Sequence, residues 1–177
     1  MAYTADRTWV SGEIPDGAMF NTYIRDNLKW LSTDKPMFRG YSSANISTGA
    51  NTWTDMTMDT ERFDNASIHS TVSQTARMTV PASSAGKFLA GGHLEWAANS
   101  GGTTREGRIR VNDSTVVGQQ FGGPRSASIA ARAMVPAFYA MAVADWFSLQ
   151  AFQDSTTLNV LASGNYSPEA WCLWHGI

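Results

Sequence analysis

The chain has 177 residues, enough for one domain of ordinary size with a small appendage. Only 16% of them are charged, against about 25% in an average globular domain, and the formal net charge is −2. With no basic run, this argues against nucleic acid as a partner, and the single cysteine, Cys172, excludes an intrachain disulfide and a cysteine-based zinc site.

The first 35 residues differ in texture from the rest. Met1 to Asp6 lack the basic start and apolar run of a signal peptide. No stretch approaches the roughly 20 apolar residues of a membrane helix. The expectation is synthesis in the cytoplasm without a membrane partner, which is compatible with display on an extracellular particle. Asp16 precedes Met19, Phe20, Tyr23, Ile24, Leu28 and Leu31, whose spacing predicts a helix from about Gly17 to Leu31. Asp16 is placed to cap its first turn, and Pro36 stops it. A helix of about 22 Å is marginal alone in water. It must therefore pack on its own domain, on sister copies or on a larger assembly.

From residue 37 onward, short strands alternate with turns. The predicted strands are Thr52–Met58, Ala76–Val80, Gly86–Ala98, Arg105–Val111, Ser126–Val135, Asp145–Gln153, Thr157–Leu161 and Trp171–Gly176. Apolar–polar alternation is plain from Lys87 to Trp96 and from Trp146 to Phe152. Turn chemistry separates them at Pro81 to Gly86, Asn99 to Gly102, Asn112-Asp113 and Gly122-Gly123-Pro124. Many short strands with almost no later helical pattern indicate an all-β fold, an antiparallel sandwich or barrel. The expected organisation is an N-terminal arm and helix over 1–35, then a sandwich over 36–177.

Recognisable chemistry is sparse. His69, His93 and His175 match no local metal or protease spacing. Asp55, Asp59, Glu61 and Asp64 cluster, but without the glycine-hinged spacing of a calcium loop they read as a solvated loop of hydrogen-bonding carboxylates. Neither a phosphate-binding loop nor a G-x-S-x-G elbow occurs. No catalytic, cofactor-binding or metal residues are assigned, no cofactor is expected, and the chain reads as a non-enzyme. Most of the seven tryptophans read as core or interface rather than as sugar-stacking platforms.

Two stretches resemble known families. Thr8-Trp9-Val10-Ser11-Gly12-Glu13, followed by Phe20-Asn21-Thr22-Tyr23-Ile24-Arg25-Asp26-Asn27-Leu28-Lys29-Trp30-Leu31, resembles the opening of tailed-bacteriophage virion proteins, among them tail fibres, head fibres and decoration proteins. That resemblance implies an anchor formed by Trp9, Phe20, Asn21, Tyr23, Ile24, Arg25, Asp26, Asn27, Trp30 and Leu31. Its partner would be the major capsid protein or another virion protein, on the virion surface. In the body, Phe63-Asp64, Val80-Pro81 with Ala85-Gly86-Lys87-Phe88-Leu89, Arg108 to Asn112, Trp146 to Gln153 and Trp171 to Ile177 resemble the jelly-roll β-sandwich of C1q and tumour-necrosis-factor domains. Phe88 stands where that family commonly has tyrosine, and Asp113 where it has glycine. The resemblance implies a homotrimer with Trp171, Leu173 and Trp174 near the threefold axis. Capsid decoration or a head fibre is the leading expectation, and a short tail fibre binding host surface glycans the alternative. A carbohydrate-active enzyme on a sandwich is the remote one.

Overall fold

A strand that alternates over eleven residues buries one face and needs a second layer to cover it. The computed structural model describes residues 4–5, 7–124, 130–162 and 167–176. The chain divides into two compact units, residues 1–35 and 36–177.

The second unit is built from β1 (Met37–Tyr41), β2 (Ile46–Thr48), β3 (Thr54–Asp55), β4 (Thr60–Asp64), β5 (Met78–Thr79), β6 (Gly86–Trp96), β7 (Arg105–Val111), β8 (Thr115–Gly122), β9 (Ala131–Met141), β10 (Trp146–Gln153), β11 (Leu158–Val160) and β12 (Glu169–Gly176). All the pairings are antiparallel. The front sheet runs β2-β11-β6-β12-β1-β4, with β9 on the free side of β6. The back sheet runs β3-β10-β7-β8, with β5 also on β10. Because sequence neighbours β6 and β7, or β8 and β9, fall in opposite sheets, this is a jelly roll and not a meander.

Between the sheets lies one core, with Phe38, Phe88, Leu94 and Trp96 from the front and Ile109, Phe147 and Leu149 from the back. Burying each such side chain stabilises the fold by about 1.5–3 kcal/mol. Gly92 and Gly107 leave room for Leu149 and for Val135 with Leu94, respectively, to interdigitate. At one side β8 and β9 close the sandwich: Met134 N–H donates to Gln120 Oε1 at 2.8 Å, and Gly118 lies against the Pro136 carbonyl.

Carboxylates hold two of the loops through hydrogen bonds to the backbone. Asp64 accepts from the backbone N–H groups of Ala66, Ile68 and His69. The His69 ring, fully buried, bridges Glu61 Oε1 at 3.0 Å and the Thr75 carbonyl at 2.9 Å while stacking on Phe38. Asp154 ties the loop before β7, accepting from Thr103 N and Oγ1, Thr104 N and, at 3.5 Å, the buried Arg105 Nη1.

Thr103's hydroxyl and then Thr104's amide hold the Asp154 carboxyl down at about 2. A free aspartate titrates near 3.9. A depressed folded-state value adds stability above the free value and loses it as pH falls towards the folded one. Asp154→Asn should therefore unfold at lower urea than the parent above pH ~5, with the gap closing between pH ~4 and ~2. A gap constant across that range would remove the carboxylate from this role.

Several sequence expectations change in detail. The helical segment reaches Asp34 and carries the predicted Asp16 cap, Met19 N–H to Oδ1 at 2.8 Å. β1, β2, β4 and β8 were not predicted, and the carboxylate cluster read as a loop is partly strand β4. β9 continues through Pro136 to Met141, past the expected end at Val135. Proline is tolerated there because β9 lies at an edge of its sheet, paired only to β6. Residues 126–129 of the predicted strand lie outside the described residues.

Candidate interaction surfaces

No three of the histidines, cysteine and carboxylates among the described residues are grouped to hold a metal. Cys172 is buried, and desolvation pushes its thiol up, so it is a packing residue and not a nucleophile. What the sandwich does present is an apolar outward face on the front sheet.

That face follows from strand alternation. On β12, Ala170 and Cys172 point into the core while Trp171 and Leu173 point out. On β6, Phe88 and Ala90 point in and Leu89 points out. On β9, Ala133, Val135 and Ala137 point in, leaving Met134 and Phe138 60% and 54% exposed. Register then aligns Met37 with Leu173, Leu173 with Leu89, and Leu89 with Phe138, one apolar row across four strands. The next row is Arg39, Trp171, Gly91 and Pro136, where the indole of Trp171 lies across Gly91. The His175 ring meets Phe138 edge-on at 5.5 Å.

Charges sit around this patch. Glu169, buried, takes Arg39 directly and Arg62 at 3.6 Å, and Arg62 in turn covers the ring of Tyr41. The hydrogen bond that Arg39 Nε donates to Glu169 holds Arg39's pKa above its ordinary value. Arg132 pairs with Glu95 at 3.1 Å. An apolar centre inside a charged rim is the anatomy of a protein interface.

Of the sequence-predicted interface residues, Trp171 and Leu173 lie on this face. Trp174 packs against the core instead, its Nε1 donating to the Ala85 carbonyl at 3.2 Å. Leu89, Met134 and Phe138 lie on the same face and were not among the residues expected from the sequence. Both phases of β6 are apolar, so its local pattern did not single out Leu89, and Phe138 lies beyond Val135, where the strand was expected to end.

The back sheet's outer face differs. Its tryptophans carry guanidinium groups, Arg108 over Trp53 at 3.9 Å and Arg77 over Trp146 at 4.2 Å. Arg108 also donates to Gln150, which donates to Asp55. Each of these guanidinium groups covers one face of its indole.

The first unit is an arm folded along a helix, α1, made of an α turn Gly17–Phe20, a π turn Asn21–Arg25, an α turn Asp26–Lys29 and a π turn Trp30–Asp34. In the arm, Gly12 adopts a positive φ of 83° within the turn closed by Glu13 N–H to the Val10 carbonyl. The Glu13 carboxylate accepts from Val10 N–H and pairs with Arg7. The Arg7 guanidinium lies over Trp9 at 5.1 Å and over Tyr23 at 5.5 Å, and Trp9 meets Tyr23 edge-on. Buried Asn27 accepts from Thr4 N–H and donates to the Thr4 carbonyl. So Trp9, Tyr23 and Asn27 serve inside the unit, and Trp30 is buried. Arg25 pairs with Asp26 at 2.8 Å, while Asn21, Arg25, Phe20, Ile24 and Leu31 are exposed.

No family model matches the chain, and no curated protein matches it in sequence. Solved structures do match in fold. The crystal structure of murine APRIL at pH 5.0 superimposes with a TM-score of 0.60 at 7% identity, covering 80% of this chain and 99% of that one. The same protein at pH 8.0 gives 0.57 at 8%, covering 79% and 98%. The globular domain of zebrafish complement 1qA protein gives 0.51 at 13%, covering 78% and 94%. The sandwich is a C1q/TNF-like jelly roll with a short N-terminal helix, as the sequence motifs implied.

Proposed function

We propose that this chain is a non-enzymatic structural protein that assembles as a homotrimer through the outward face of its front sheet. Its place would be the surface of a tailed-bacteriophage virion, as a capsid decoration or head-fibre protein attached through residues 1–35. The single observation that carries the assembly is the row Met37, Leu173, Leu89 and Phe138, apolar side chains aligned by register and left facing solvent. Monomeric proteins rarely leave a contiguous apolar patch of that kind uncovered. Relative to the sequence expectation, Leu89 and Phe138 take the place of Trp174 in the interface. The virion assignment rests on the Trp9-to-Leu31 pattern.

The test uses the chain with and without residues 1–35. Both forms should run at three times their chain mass, and only the longer one should bind the particle, in hundreds of copies. A truncated chain that still decorates particles would disprove the anchor. A handful of copies at the tail tip would favour the receptor-binding fibre instead.

A further inference from the structure

One face of α1 remains open. Phe20, Ile24, Leu28 and Leu31 are between 42% and 60% exposed. The adjoining face at Tyr23 and Asn27 is closed by the chain's own arm through Trp9 and Thr4. Two of the four turns are π turns, which take more residues per turn than α turns. That slower winding lines up residues four apart, so that 20, 24 and 28 form one stripe, with Leu31 exposed beside its end.

The area of this stripe selects its occupant. A helix of this length presents a strip about 27 Å by about 10 Å, roughly 300 Å². A stable interface takes about 800 Å² from each partner. The stripe alone is too small to hold a separate protein, and it works where another contact has already brought the partner close. Only Lys35 and Pro36 separate the helix from β1, whose Met37 stands in the apolar row. Joining copies through that row tethers their helices by very short links, which raises their effective concentration to the millimolar range.

We propose that the stripe packs on the same stripe of two sister copies, making residues 17–34 of three chains a parallel three-helix stem. The proposal rests on the trimer reading above. Contact with the particle then falls to residues the stem leaves outside, Asn21 and Arg25 among them.

The test is a cysteine at Leu28 in the full chain. Cys172 stays silent because it is buried with its thiol pushed up. Under mild oxidation Leu28→Cys should link about two of every three chains as disulfide dimers, while Thr22→Cys, on the other side of the helix, should yield under about a tenth of that. Leu28→Asp should raise the concentration at which the trimer dissociates at least about tenfold. Trimers in which the two cysteines link equally, or particles in which Leu28→Cys links to another protein, would overturn the stem and leave the trimer standing. A monomeric parent chain would overturn both.

Discussion

Leu89→Asp, combined with Phe138→Asp, should reduce the mass in solution from three times 19.2 kDa to 19.2 kDa, with the fold intact. Both side chains point away from the core, at 38% and 54% exposure, so in the monomer the new carboxylates are solvated. Surface changes of that kind usually move folding stability by less than about 0.5 kcal/mol. In the proposed trimer the same positions lie at the centre of the apolar row, joined by register to each other and to Leu173. Each lost apolar contact removes about 1.5–3 kcal/mol, and a carboxylate buried without a partner adds several more. A loss of about 4 kcal/mol at one contact weakens association roughly a thousandfold, and threefold symmetry repeats it. Phe121→Asp is the control: Phe121, on β8 of the back sheet, is 69% exposed, so its substitution should leave the mass unchanged. Size-exclusion chromatography with light scattering reads all three. A doubly substituted chain that stays trimeric would place the interface elsewhere.

How much of this was legible beforehand depended on whether a strand carries its own pattern. β7 was predicted at its observed bounds, where buried Ile109 and Val111 alternate with the partly exposed Arg108 and Arg110. β4 has no buried residue, and its existence depends on pairing with β1, a contact that local pattern does not encode. β8 is largely exposed and rich in glycine and glutamine, so it too is a strand by virtue of its neighbour β7. The Asp16 cap was readable because capping is local. The Asn27 tie to Thr4 spans 23 residues and was not.

The candidate interface was half legible for a related reason. In β6 both phases are apolar, Phe88 and Ala90 on one side, Leu89 on the other, so alternation does not say which face is covered. Only the position of the back sheet decides it. Trp171 and Trp174 look equivalent in sequence, yet they differ by three positions and so fall on opposite faces of β12. The N-terminal motif was similarly compound: Trp9 and Asn27 are conspicuous residues, but they hold the arm to the helix, whereas plainer Ile24 and Leu28 stay exposed.

Gly118→Val should open the seam between β8 and β9, and so weaken the fold and the interface together. A β-carbon at Gly118 would stand inside van der Waals contact of the Pro136 carbonyl oxygen and 3.0 Å from Ala137 Cβ. The obstacle is backbone, so no side-chain rotation relieves it. β9 cannot retreat cheaply either, being paired to β6 along all eleven residues from Ala131 to Met141. Forcing extra volume into a packed site costs about 1–3 kcal/mol, and a branched side chain against fixed backbone should fall at or above the upper end. Against a total of 5–15 kcal/mol typical of a domain, that is a clear drop in the urea midpoint. Displacing β9 also moves Met134 and Phe138, so trimer dissociation should shift to higher protein concentration before unfolding begins. Gly122→Ala separates this from a generic loss of glycine, since a β-carbon there meets only the Arg105 carbonyl at an ordinary 3.5 Å, and its midpoint should stay within about 0.5 kcal/mol of the parent. Equal midpoints for the two variants would mean that the β8–β9 seam is open in solution, and the front sheet's outward face would then lack the fixed β9 edge on which Phe138 is held.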